Sequence, residues 1–307
     1  MTSILVASML ISNLIAAELN NLPSTQQLHS DSIVVEDHSR QRLIPVELYY
    51  PAAEYNCKDN RQCPVMILSS GYGLLHTEYQ FISQHFQQQG YLVIAVRHEL
   101  PSDPPLSRVQ PFAQTRAENW QRGADTLNFI QYYFSEQYVN QLHTPDVYPY
   151  SSSSFDFEHI TLIGHSNGGD ISALLATNGA TILYVNDLDT NALEIKNPDE
   201  KAVAVTNGKS ESSDASQFEE SQVDYISRII TLDHRRVPLP RDQAIDVLSI
   251  RASDYPADEG VLPTEAEDAT NIAVVKIEDS RHNDMNDYGP MWLKDRILSI
   301  IDEHMQF

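Results

Sequence analysis

The chain has 307 residues, 41% of them hydrophobic and 21% charged, the size and composition of one globular α/β domain able to bury a large core. Its 43 acidic against 20 basic residues leave a formal charge of −23, so nucleic acids and anionic membrane surfaces are repelled rather than bound. No internal repeat is apparent, and beyond the N-terminus no segment approaches the roughly 20 apolar residues that a membrane span needs.

In chain order, Ile4-Leu-Val-Ala-Ser-Met-Leu-Ile-Ser-Asn-Leu-Ile-Ala-Ala17 suits the apolar region of a secretory signal, although the basic residues that normally precede it are missing. Residues 1–17 are therefore read as a leader, with a simple N-terminal helix as the alternative, and residues 18–307 as a single domain. Ser32–Glu36 and Leu43–Tyr50, joined by a polar turn, predict an antiparallel hairpin at a sheet edge. Cys57 and Cys63 are the only cysteines and enclose a short polar loop, so they are expected to form a local disulfide in a periplasmic or secreted protein. The alternative is two unpaired thiols, since two cysteines are too few for a structural zinc site.

Val65–Leu68 reads as a strand opening into Ser69-Ser-Gly-Tyr-Gly73, and residues 81–89 as a helix stopped by Gly90. Tyr91–Val96 is a buried parallel strand by its β-branched content. Thr115–Tyr133 predicts a long amphipathic helix with Trp120, Ala124, Leu127 and Ile130 on its core face. Arg116 and Arg122 on that helix read as salt-bridged surface residues. Tyr148–Phe157, with its serines, reads as an exposed loop. Strand-like runs follow at 228–232, 245–250 and 272–277, and the helix Met291–Met305, with Trp292, Ile297, Ile300 and Ile301 on its apolar side, closes the domain.

The chemistry concentrates at residues 157–169, where a short apolar strand runs into Gly164-His-Ser166-Asn-Gly168-Gly169 and then a helix-forming stretch from Asp170 to Thr177. This is the sequence form of a nucleophile elbow, in which one serine is held in strained geometry on a strand-to-helix turn. Side chains at 164 or 168 would collide across the turn, and Gly169 relieves the packing of the helix start against the strand.

A serine hydroxyl needs a base to take its proton and a carboxylate to orient that base. Around such an elbow the chain order is nucleophile, acid, histidine, each at the C-terminal end of a successive strand. His282, just past the last strand, is the expected base. The acid is expected in the loop after the 245–250 run, where Asp254 is favoured and Asp258 is the alternative; whichever of the two is not used caps its own loop. Asp233-His-Arg-Arg236 reads as a packed, salt-bridged loop. The oxyanion donors are expected to be the N–H groups of Asn167, the residue after the nucleophile, and Tyr72 in the loop after Leu68. For Tyr72 the alternative is an ordinary glycine-rich turn. The grouping of His282 with Asp284 and Asp287 matches no calcium or zinc spacing, so no metal and no cofactor are expected.

With Ser-Gly-Tyr-Gly, Gly-His-Ser-Asn-Gly-Gly and Arg-His-Asn-Asp in this order, the chain resembles the α/β-hydrolases over roughly residues 30 to 305. It is similar to the serine esterases grouped with dienelactone hydrolases and platelet-activating-factor acetylhydrolases. That resemblance implies a mostly parallel eight-stranded sheet with helices on both faces. Two departures stand out. Ser166 replaces the cysteine typical of bacterial dienelactone hydrolases, and Ser70 stands where many relatives carry histidine. A serine- and acid-rich stretch at about 186–224, including Ser210–Glu220, reads as a mobile insertion that acts either as a lid or as a solvated loop. The residues and the resemblance together point to a small-molecule ester hydrolase working through an acyl-enzyme. Amide or peptide cleavage by the same machinery is the alternative, followed by a catalytically silent binding protein on the same fold.

Overall fold

Val65-Met-Ile-Leu68 and Leu92-Val-Ile-Ala-Val96 are unbroken apolar runs, and both become fully buried neighbours at the centre of one sheet. A strand covered on both faces has no polar side to alternate with. The computed structural model describes residues 28–52, 55, 57, 61–137, 152–178 and 223–307. The leader at 1–17 and nearly all of the acidic insertion lie outside the described residues.

Eight strands make up the sheet: β1 (His29–Asp37), β2 (Arg42–Tyr50), β3 (Cys63–Ser69), β4 (Leu92–Val96), β5 (Phe155–His165), β6 (Ile226–Leu232), β7 (Asp246–Arg251) and β8 (Ile272–Lys276). They lie in the order β1-β2-β4-β3-β5-β6-β7-β8. The expected hairpin is the antiparallel edge, with β2 antiparallel to β4 and every later pairing parallel. The reading of an exposed loop up to Phe157 is corrected, because β5 already begins at Phe155 and buries both phenylalanines.

Helices cover both faces, as the alternation along the strands requires. Val65 and Ile67 of β3 face one core with α2 (Ala117–Tyr132), through Trp120, Ala124, Leu127 and Ile130, and with α3 (Asn167–Asn178). Met66 and Leu68 face the other core, with Ile82 and Phe86 of α1 (Gln80–Gln88) and the stripe Leu293, Ile297, Ile300 and Ile301 of α4 (Met291–Met305). Trp292 departs from expectation and is half exposed. Leu293, one residue and about 100° further round the helix, takes the core position instead. Arg122 pairs with Asp103 and Glu118 as expected, whereas Arg116 donates to the Ser107 carbonyl and lies over the Phe112 ring.

Cys57 and Cys63 form the expected disulfide, with Cα atoms 5.3 Å apart and both residues buried, Cys63 as the first residue of β3. The loop it closes is short, so the restriction it places on the unfolded chain is near the low end for such bonds. The double variant Cys57→Ala/Cys63→Ala is expected to lose about 2 kcal/mol of stability. Urea unfolding checks this, and a loss no larger than that from one surface substitution would contradict it.

Candidate active site

β5 ends at His165 and α3 starts at Asn167, so the whole reversal falls on Ser166, which takes a left-handed φ of 53°. A non-glycine residue holds that conformation only when its surroundings enforce it. Ser166 N–H donates to the Leu232 carbonyl (2.9 Å), and Asp170 N–H donates to the Ser166 carbonyl (3.0 Å). Backbone crowding explains the glycines. A Cβ on Gly164 would strike the Gly168 carbonyl across the turn, as expected, but one on Gly168 would strike the carbonyls of Ser69 and Ser70 at the exit of β3. A Cβ on Gly169 would come within 2.9 Å of the Gly164 carbonyl, as expected of the packing against the strand, and within 2.7 Å of the His234 Cβ, so this glycine also admits the loop after β6.

Ser166 and His282, 116 residues apart in sequence, are brought together. The serine Oγ lies 2.9 Å from His282 Nε2. Behind the imidazole, His282 Nδ1 lies 2.7 Å from Asp233 Oδ2. The expectation of Asp254, or else Asp258, at that position is thereby corrected. Asp254 Oδ1 accepts the backbone N–H of His282 (2.7 Å) and so pins the loop rather than the ring. Asp258 is engaged by Arg235 Nε and Arg236 Nη1, each at 2.9 Å.

The sheet register gives the reason. His165 pairs with Leu232 across β5 and β6, so the residues that follow, Ser166 and Asp233, leave adjacent strands side by side. Asp233 also turns at a left-handed φ of 53°, and its N–H is tied to the Ile250 carbonyl (2.8 Å). Its side chain is fully buried, with Oδ1 accepting from the Ala252 N–H (2.9 Å) and facing Arg251 Nη2 (3.1 Å). Three polar partners, one of them a buried guanidinium, keep this carboxylate compensated and leave Oδ2 aimed at the imidazole. The loop beyond it is held by Asp170 of α3, whose Oδ1 accepts the N–H groups of Arg235, Arg236 and Val237. Burial raises the Asp170 carboxyl to about 6 despite those bonds.

Several site residues carried no recognised sequence signal. Tyr255 stacks on the His282 ring at 3.9 Å between centroids, and Arg235 covers the tyrosine ring at 4.6 Å. Asp233 did carry one, standing directly after the apolar Ile229-Ile-Thr-Leu232. Of the clustered acids near His282, Asp287 accepts the N–H groups of Gln80 (2.8 Å) and Phe81 (3.1 Å) and thus caps α1 from a distance. Among the described residues no group of three or more His, Cys, Asp or Glu is disposed to hold a metal.

A cleft of about 300 Å³ opens onto Ser166 and His282, walled by Gly71, Tyr72, Leu74 and Tyr288 among others. Tyr72 is exposed, and its hydroxyl accepts from Leu106 N–H (3.0 Å). Asn167 is the first residue of α3, so its N–H has no carbonyl partner inside the helix. Its buried side chain donates to Glu99 (3.0 Å) and Asn119 (2.9 Å) and accepts from Trp120 Nε1 (2.9 Å), which fixes the helix start.

No protein-family model matches the chain, and no curated protein does. Among solved structures it is similar to esterase 2 of Thermogutta terrifontis. The apo form shares 10% identity at a TM-score of 0.53, over 93% of this chain and 97% of that one. The form phosphorylated by paraoxon shares 12% at 0.54, over 92% and 95%. The butyrate-bound form shares 11% at 0.52, over 89% and 94%. The architecture is the α/β-hydrolase fold.

Proposed function

We propose that this protein is a serine hydrolase that cleaves carboxylic esters through an acyl-enzyme, with Ser166 as nucleophile, His282 as base and Asp233 as the orienting acid. The observation that carries the reading is the unbroken line from Ser166 Oγ through the His282 ring to a buried Asp233. His282 takes the serine proton on Nε2 as Oγ attacks the carbonyl carbon. Asp233 holds the Nδ1 proton and stabilises the imidazolium without being protonated itself. The N–H groups of Asn167 and Tyr72 receive the developing oxyanion, and the imidazolium then protonates the departing alcohol. Water, deprotonated by the same imidazole, attacks the acyl-enzyme, releases the acid and restores the serine.

Ester rather than amide cleavage is supported by the similarity to an esterase that is phosphorylated by paraoxon and that binds butyrate. The modest cleft favours a small acyl group. The Cys57–Cys63 bridge supports a periplasmic or secreted site of action.

A fluorophosphonate probe is expected to label the chain once, at Ser166, as read by peptide mass spectrometry. In a panel of p-nitrophenyl esters beside aminoacyl-nitroanilides, short-chain esters are expected to show the highest kcat/KM. Absence of both labelling and ester turnover would refute the assignment, and faster anilide cleavage would move it to an amidase.

A further inference from the structure

Tyr79 and His165 are a buried polar pair that the mechanism above does not use. Tyr79 is 1% exposed and His165 4% exposed, yet every side-chain polar atom of the two has a partner. Gly71 N–H donates to the Tyr79 hydroxyl oxygen (2.9 Å). That hydroxyl lies 2.7 Å from His165 Nδ1, and His165 Nε2 lies 3.1 Å from the His282 carbonyl oxygen.

Chemistry fixes the direction of these bonds. A carbonyl oxygen only accepts, so the proton of His165 is on Nε2. Nδ1 of the neutral ring is then bare and must accept, so the single tyrosine proton points at it. The tyrosine oxygen is left to accept from Gly71. Burial supports this state, because desolvation pushes the His165 imidazole down to about 3 and raises the Tyr79 hydroxyl above its ordinary range.

Both ends of the chain are backbone atoms of loops that meet at the cleft. Gly71 adjoins Tyr72, whose N–H is a proposed oxyanion donor, and the far carbonyl belongs to the residue that carries the base. His165 itself is bonded to Ser166. The oxyanion loop also packs directly on the pair, since a Cβ on Gly71 would lie 2.8 Å from His165 Nδ1 and 3.2 Å from the Tyr79 hydroxyl. The histidine loop is tied to the same helix start a second time, through Asp287 on the N–H groups of Gln80 and Phe81.

We propose that Tyr79 and His165 are positioning residues, a one-way hydrogen-bond chain that holds the oxyanion loop and the His282 loop in register with Ser166. This inference rests on the serine-hydrolase reading. It goes beyond that reading by naming what sets the donor-to-nucleophile geometry, where a displacement of about 1 Å is enough to cost about 100-fold in rate.

Tyr79→Phe is the direct test, because it removes one oxygen and keeps the packed ring. The expected result is a kcat lowered about 10- to 100-fold with KM close to the parent's. The affinity for an alkylboronic acid, whose tetrahedral adduct places an oxygen in the oxyanion site, should fall in proportion. A hydroxyl that only stabilised the fold would move neither quantity well below the melting temperature.

His165→Gln can donate to the carbonyl and accept from the tyrosine, so it should keep much more activity than His165→Leu. That pair also serves if Tyr79→Phe fails to fold. Independently of turnover, nitrogen NMR of the imidazole should show the Nε2–H form. Kcat and boronate affinity both unchanged in Tyr79→Phe, equal losses in the two His165 variants, or an Nδ1–H ring would each overturn the proposal. A parent chain that hydrolyses no ester would remove the functional reading, and the imidazole spectrum would still decide the bond chain.

Discussion

Ser166→Ala and His282→Ala are each expected to lower ester turnover by about a million-fold, with the fold retained, because members of such a set act as a unit and losing one forfeits nearly all of its effect. Neither change leaves a buried charge alone. Ser166 Oγ bonds to the imidazole, and Asp233 keeps Arg251 and the Ala252 N–H when the ring is gone. Alanine at 166 meets the same left-handed φ of 53° that serine already tolerates. Initial rates on a p-nitrophenyl ester and thermal unfolding followed by circular dichroism check both halves of the expectation. Activity in Ser166→Ala within about tenfold of the parent would end the serine-hydrolase account, since residual rates of that size cannot come from binding and oxyanion donors alone.

The second large effect separates the aspartates. Asp233→Asn is expected to reduce kcat by about 10,000-fold with little change in KM. The reason lies in the geometry: Oδ1 is claimed by the Ala252 N–H and Arg251, so an asparagine would keep its oxygen there and turn its NH2 toward His282 Nδ1. The ring would then carry its proton on Nε2, the nitrogen that must accept from Ser166. Arg251 would also lose its buried counter-ion, which predicts a stability loss of about 3 kcal/mol or more. The kinetics must therefore be read well below the lowered Tm.

Asp254→Asn should behave almost as the parent, because an amide oxygen still accepts the His282 N–H. Asp254→Ala should slow turnover by about tenfold, the loss of one backbone-holding bond. A crippled Asp254→Asn beside a near-normal Asp233→Asn would reverse the assignment.

Much of this protein could be read from its residues alone, because the deciding constraints were local. Apolar runs and stripes such as Val65–Leu68 and Trp120/Ala124/Leu127/Ile130 report strand and helix faces through their period, and they occupy the core positions expected of them. The Gly164-x-Ser166-x-Gly168 turn announces itself because backbone atoms meet there with no room for a Cβ. Cys57 and Cys63 were the only possible partners for each other.

Tertiary structure alone decided which carboxylate faces the imidazole. Asp233, Asp254 and Asp258 all lie in loops after β6 and β7, and local sequence does not say which loop passes behind His282. The pairing of His165 with Leu232 does, since it sets Asp233 beside Ser166 and leaves Asp254 to the backbone and Asp258 to two arginines. The Tyr79–His165 chain was hidden for the same reason. It joins residues 86 and 117 positions apart, and only the closing of the sheet brings such side chains within hydrogen-bond reach.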